Sequence, residues 1–227
     1  MTLILGHRGA SAVRTENTLE AFKTAIELGA DGVELDVRRS ADGALVVHHD
    51  ATLLTGRLIV ESPEMEIPLY VPHLEVALEA CAGAFVNIEI KNVPIDPDYD
   101  AEEHVAAGVA ALVQRMRIAT SVVVSSFSLA TINAVRAADA SIPTGWLTMS
   151  AYDQLRALET VVEHGHGALH PFHTTVTEEL VDAARAAGVA LNTWTVDEPA
   201  EMLRLADLQV NAIITNDVAL AAQTLRG

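Results

Sequence analysis

Short apolar runs alternate with longer amphipathic runs from one end of this chain to the other. The strand-like runs lie at residues 3–6, 32–38, 85–91, 121–125, 144–148, 167–170, 189–196 and 210–215. The helix-like runs lie between and after them, at residues 17–28, 73–82, 101–116, 129–138, 152–164, 177–187, 199–205 and 218–225. Strict alternation of this kind leaves two common architectures, an open doubly wound sheet or a closed parallel barrel. No Gly-x-Gly-x-x-Gly turn follows the first strand, and eight strand–helix units are the number that closes a barrel. The expected fold is therefore α/β, a (β/α)8 TIM barrel. The 227 residues suit one such domain spanning 1–227, since these barrels run at roughly 200 to 250 residues.

One segment interrupts the repeat. After the second strand, Asp42-Gly43 suits a tight turn from which residues 44–48 can hairpin back. Residues 51–72 then carry Pro63, Pro68 and Pro72 with little periodicity and read as a short insertion after strand two.

In such a barrel the active site is assembled at the C-terminal ends of the strands, so polar residues there are read first for function. Side chains alternate between strand faces: Val33, Leu35 and Val37 share one face of the second strand while Glu34 and Asp36 share the other. The third strand repeats this, with Val86, Ile88 and Ile90 opposed to Asn87, Glu89 and Lys91. Like charges held so close repel and lose hydration, a cost that a bound divalent cation offsets. Three carboxylates, Glu34, Asp36 and Glu89, make a hard-oxygen set suited to Mg²⁺ or Ca²⁺. The bland alternative is an internal ion-pair network of Glu89, Lys91 and Arg8.

The chain uses arginine twelve times and lysine twice, so Lys91 stands out. A point charge beside a carboxylate suits a phosphate oxygen, and Arg8 offers a planar fork to the same group. His7, after the first strand, and His49, after the hairpin, reach the same barrel end and can divide general acid and base roles near neutral pH. Glu16 and Asn17 read equally as an acidic helix start with its cap or as site residues. Trp194 either lines the pocket as a substrate contact or fills the barrel top.

The formal net charge of −17 disfavours nucleic acid and anionic membrane surfaces as partners. A lone Cys81 in a helical, alanine-rich stretch reads as a buried thiol, compatible with a reducing compartment. The start MTLILGHRGA carries no basic leader, and the longest uncharged run, 118–135, is rich in Ser and Thr and poor as a membrane span. A cytoplasmic location without stable membrane association is the expectation, with oligomeric state open.

Taken together, His7-Arg8-Gly9, Glu16-Asn17-Thr18, Glu34-Leu35-Asp36, His49-Asp50, Glu89-Ile90-Lys91 and Trp194-Thr195-Val196 resemble the glycerophosphodiester phosphodiesterase family, in that family's order and across nearly the whole chain. The resemblance implies an α/β barrel that hydrolyses small-molecule glycerophosphodiesters to glycerol 3-phosphate and an alcohol. It implies metal ligation by Glu34, Asp36 and Glu89, acid and base roles for His7 and His49, and phosphate contacts by Arg8 and Lys91. Thr15 stands where the family often has proline, and Thr215-Asn216-Asp217 where Thr-Asp is common; both departures are set apart from the chemistry. The 51–72 segment is shorter than the family's usual insertion. A lysophospholipase D or sphingomyelinase D-like enzyme is the enzymatic alternative, and a non-catalytic phosphate- or metal-binding barrel the alternative of another class.

Overall fold

In the computed structural model, which describes residues 1–227, the chain runs β1 (Leu3–Gly6), α1 (Leu19–Glu27), β2 (Gly32–Arg39), β3 (Leu45–Val47), α2 (Leu74–Ala80), β4 (Phe85–Ile90), α3 (His104–Met116), β5 (Val122–Ser126), α4 (Leu129–Ala138), β6 (Thr144–Thr148), α5 (Gln154–Glu163), β7 (Ala168–Pro171), α6 (Glu178–Ala187), β8 (Ala190–Thr193), α7 (Pro199–Asp207), β9 (Ala212–Thr215) and α8 (Val218–Arg226). β1 pairs in parallel with both β9 and β2, so the sheet closes on itself. Eight parallel strands form the barrel, and β3 lies outside it, antiparallel to β2 as the Asp42-Gly43 turn implies. This is the expected TIM barrel, with helices between successive strands.

Two of the element boundaries that differ from expectation do so for clear local reasons. The helix expected from residue 101 begins at His104, because Glu103 sits in the left-handed region at φ 57°. Asp100 instead accepts the Val105 N–H at 3.0 Å. The strand expected over 189–196 spans only Ala190–Thr193; beyond it Trp194 makes a single bridge to Phe172 as the chain leaves the ladder.

The principal core, 44 buried residues, lies between the outer faces of the strands and the helices and includes Val33, Leu35, Val37, Val86, Ile88 and Ile90. Burying each such side chain contributes roughly 1.5–3 kcal/mol. The opposite, inward faces are different: only Leu5, Ala212 and Ile214, with Phe85 and Trp194 against them, form an apolar cluster there. Glu34, Asn87, Ser125, His170 and Asn192 are buried polar residues on the same side of the sheet. Gly145 makes room for one of them, since a Cβ at that position would fall 2.5 Å from His170 Nε2.

The segment between β3 and α2 is anchored by its own cluster of Val46, Leu53, Ile59, Ile67 and Val71. No helix is long and apolar enough to cross a membrane.

Candidate active site

β2 and β4 place the carboxylates. Their parallel register sets Glu34 beside Asn87 and Asp36 beside Glu89. Glu34, Asp36 and Glu89 each offer an oxygen, and these atoms lie within 4.8 Å of one another. The three residues are 1 %, 1 % and 7 % exposed. Burial, then the charges of Asp36 and Glu89, hold the Glu34 carboxyl well above the usual carboxylate range. Burial pushes Asp36 the same way, but Lys91, Arg8, His49 and Asn17 outweigh it and bring its pKa down to about 2. Lys91 is itself raised above the ordinary lysine range: burial opposes its charge, and Glu89 and Asp36 more than compensate.

A divalent cation fits this set. The oxygens are hard donors, Glu34 Oε1 is buried without a hydrogen-bond partner, and Asp36 Oδ1 has Lys91 Nζ at 3.0 Å without an aligned hydrogen bond. The ion-pair network that was the bland alternative is present as well. Lys91 also contacts Glu89, and Arg8 Nε lies 3.1 Å from Asp36 Oδ2.

β1 supplies the next wall. Arg8 has φ 54° and Gly9 φ 82°, a left-handed pair that turns the chain sharply off the strand. The turn aims the Arg8 N–H at Glu34 Oε2, 2.8 Å away, while Nη1 donates to both Glu16 oxygens at 2.9 and 3.0 Å. His7 Nδ1 is 2.7 Å from Asn216 Oδ1. The Asn216 amide is oriented by Asp197, which accepts Nδ2 at 2.7 Å, so its oxygen must face His7. His7 therefore carries its proton on Nδ1 and presents the Nε2 lone pair, 3.9 Å from Glu34 Oε2. Burial, then Arg8, lowers its pKa and keeps it neutral. Asn216, set apart from the chemistry in the sequence reading, thus fixes the tautomer of a candidate catalytic residue.

Asn17 also resolves. The α1 cap is Thr18, whose side chain accepts the Ala21 N–H. Asn17 is buried, donates Nδ2 to Asp36 Oδ2 at 2.8 Å, and accepts the Asp36 N–H at 3.2 Å.

His49 lies at the rim, with Nδ1 2.7 Å from Asp50 Oδ1 and its main-chain carbonyl accepting from Arg38 Nε at 2.8 Å. A pocket of about 430 Å³ opens between His49, Glu89, Lys91, Asn92, Asp96 and Phe127. Lys91 Nζ stands 5.9 Å over the Phe127 ring. Trp194 packs edge-on against Phe127 and Phe172 at 5.3 Å and donates Nε1 to the His170 carbonyl at 2.9 Å. A larger cleft of about 650 Å³ near Met1 and Val210 carries no titratable side chain. His7, Arg8, Glu34, Asp36, Glu89 and Lys91 thus meet directly, His49 borders them across the pocket, and Trp194 joins through Phe127. Cys81 lies apart, buried, with its thiol pushed up to about 12 by burial.

Residues 7–56 and 56–220 match the glycerophosphoryl diester phosphodiesterase family. The chain belongs to that family. A glycerophosphodiester phosphodiesterase of Caldanaerobacter subterraneus subsp. tengcongensis is 32 % identical over 244 residues, covering 95 % of this chain and 94 % of that protein. The solved glycerophosphodiester phosphodiesterase of Thermotoga maritima superposes with a TM-score of 0.82 at 29 % identity, covering 98 % of each chain. An Oleispira antarctica phosphodiesterase, solved in complex with the product sn-glycerol-3-phosphate, shares the fold at a TM-score of 0.87 and 21 % identity, covering 100 % of this chain and 98 % of its own. As a member of the family this chain is a phosphodiesterase, and its carboxylate cluster lies at the barrel end where such enzymes carry their chemistry.

Proposed function

We propose that the chain, acting as one barrel domain over 1–227, hydrolyses glycerophosphodiesters to glycerol 3-phosphate and an alcohol. In this reading it is a cytoplasmic enzyme acting on small molecules, with neither nucleic acid nor stable membrane as partner. Glu34, Asp36 and Glu89 would hold the divalent cation, Mg²⁺ or Ca²⁺. The observation that carries the reading is the buried trio of carboxylates, with its unpartnered Glu34 oxygen, set beside Arg8, Lys91 and His7.

When bound, the cation supplies Lewis-acid neutralisation of phosphate charge. Arg8 and Lys91 add their charges on the same side, Arg8 held through Nη1 by Glu16 and Lys91 as a point charge over Phe127. His7 takes the proton of the attacking hydroxyl on Nε2, because Asn216 keeps its other nitrogen protonated. The charge that His7 then gains is balanced by the neighbouring carboxylates. His49, backed by Asp50, gives a proton to the leaving alkoxide, which must depart on the side of the 430 Å³ pocket that His49 borders. Trp194 and Phe127 contribute an apolar wall for the carbon skeleton of the substrate.

The test is turnover of glycerophosphocholine in excess EDTA and after readdition of Mg²⁺, Ca²⁺ or Mn²⁺, with products identified. Turnover is expected only with metal, releasing glycerol 3-phosphate and choline. Undiminished turnover in EDTA, or release of phosphocholine and glycerol, would refute it.

A further inference from the structure

We propose that Arg38 is a positioning residue for the hydrolysis, holding His49 in place through its main chain. The inference rests on the reading of His49 as an acid–base group. Arg38 follows Glu34 and Asp36 on the same face of β2, one step nearer the barrel mouth. Its side chain is 6 % exposed, and its donors go to three residues. Nε donates to the His49 carbonyl at 2.8 Å, and Nη1 donates to both oxygens of Asp98 at 2.7 Å. Nη2 lies 3.4 Å from Asp96 Oδ2.

His49 has little else to hold it. β3 ends at Val47, and the last ladder-like bond is from the His48 N–H to the Asp36 carbonyl at 3.0 Å. Neither His49 nor Asp50 makes a main-chain to main-chain hydrogen bond, and such bonding resumes where Ala51 accepts from Ile59. The one hydrogen-bond partner of the His49 side chain is Asp50, which is itself 70 % exposed. The Arg38 bond is therefore the one hydrogen bond on the His49 backbone, made from a buried, charge-balanced group.

The other end of Arg38 is fixed with equal care. Asp98 is 4 % exposed and belongs to the loop after β4, which closes on itself where the Asp100 N–H donates to Asn92 Oδ1 at 2.8 Å. That loop forms the wall of the 430 Å³ pocket facing His49. Arg38, which also lines the pocket, thus ties the His49 backbone to the loop that carries Asp98. A guanidinium suits the task because its rigid plane lets Nη1 hold the Asp98 carboxylate while Nε reaches the His49 carbonyl at a fixed angle. A lysine has one donor point and cannot do both.

The bland reading is a buried ion pair that merely staples a loop. A double-mutant cycle separates the two, with glycerophosphocholine as substrate at saturating Mg²⁺. Arg38→Lys should lower kcat about a hundredfold, the order of effect of misplacing a reacting group by about an ångström. KM and the rise in melting temperature on adding Mg²⁺ should stay as in the wild type, because the carboxylates are untouched. In the His49→Ala background the same substitution should cost less than about threefold, since the group it positions is gone. Asp98→Asn keeps Arg38 but weakens the hold on its Nη1, so it should show the same pattern with a smaller loss; it carries the test alone if Arg38→Lys does not fold. Wild-type kcat in the single variants, or an undiminished loss in the His49→Ala background, would overturn the inference. Wild-type turnover by His49→Ala alone would instead overturn the acid–base reading of His49, and is seen before Arg38 is altered.

Discussion

Replacing Asn17 tests how the carboxylate site is held together, because this residue combines a strained backbone with two bonds to a metal-ligand candidate. It lies at φ 56° and is 3 % exposed. Its amide closes a ring with Asp36, donating at 2.8 Å to the carboxylate and accepting the Asp36 N–H at 3.2 Å. A hydrogen bond to a buried charge contributes about 1.5–3 kcal/mol and the neutral one about 1 kcal/mol. Asn17→Gly removes both bonds and keeps the backbone relaxed, so it should cost about 2.5–4 kcal/mol. Asn17→Ala removes the same bonds and keeps a Cβ in the left-handed region without the amide that lets Asn tolerate it, so it should be less stable than Asn17→Gly by on the order of 1 kcal/mol.

Asn17→Asp has the right shape and the wrong charge. It would set a second carboxylate about 2.8 Å from Asp36, a repulsion of roughly 6 kcal/mol at an effective dielectric near 20. The pair would take up a proton to avoid it. A divalent ion relieves the same repulsion, so Mg²⁺ or Ca²⁺ should restore more stability to Asn17→Asp than to Asn17→Ala. Urea midpoints of the three variants, each in EDTA and in saturating metal, measure all of this. Wild-type stability of Asn17→Gly, or an Asn17→Asp variant indifferent to metal, would show that the contacts at Asp36 do not work as described, and equal stability of Asn17→Gly and Asn17→Ala would remove the backbone contribution.

Two further outcomes follow from the buried titrating groups. Burial and neighbouring carboxylates raise the Glu34 pKa, so Glu34→Gln should leave the metal-free protein as stable as the wild type or more so, while removing the metal-induced rise in melting temperature; calorimetry with and without Mg²⁺ checks both halves. Burial lowers His170 from 6.5 to about 3, so between those values the unfolded chain binds a proton that the folded one refuses, and stability falls as pH drops below about 6.5. At pH 5 the loss from this group alone is about 2 kcal/mol relative to pH 8. His170→Asn should show a pH 8 to pH 5 difference smaller by that amount, and an unchanged pH profile would mean that His170 is charged or solvated in the fold.

Much of this architecture was legible because two periodicities carry it. The strand period places Glu34 and Asp36 on one face of β2 and Glu89 and Lys91 on one face of β4, and the parallel register then sets Asp36 beside Glu89. Lys91 was legible for a second reason, as one of two lysines in an arginine-rich chain. Arg38 continues the same i, i+2 row and could have been read from it, but its partners could not: Asp98 lies 60 residues away on a loop with no period of its own. Asn17 stayed open between cap and site for another reason, since Asn-Thr before a helix suits a cap whichever of the two supplies it, and only Thr18 turns toward the Ala21 N–H.

Asn216 is the instructive miss. It is 209 residues from His7, and nothing local in Thr215-Asn216-Asp217 points to a histidine. Yet a closed barrel requires the first and last strands to pair, and here that pairing runs Leu3 with Ala212 through Gly6 with Thr215. The next residue on each strand is His7 on one side and Asn216 on the other. Once eight strands are taken to close, two residues that leave adjacent strands at the same level must meet above the barrel mouth. Closure alone therefore places Asn216 beside His7. What remained beyond reach was the role of the amide, because its orientation is decided by Asp197, which enters from the loop after β8 and holds Nδ2 at 2.7 Å.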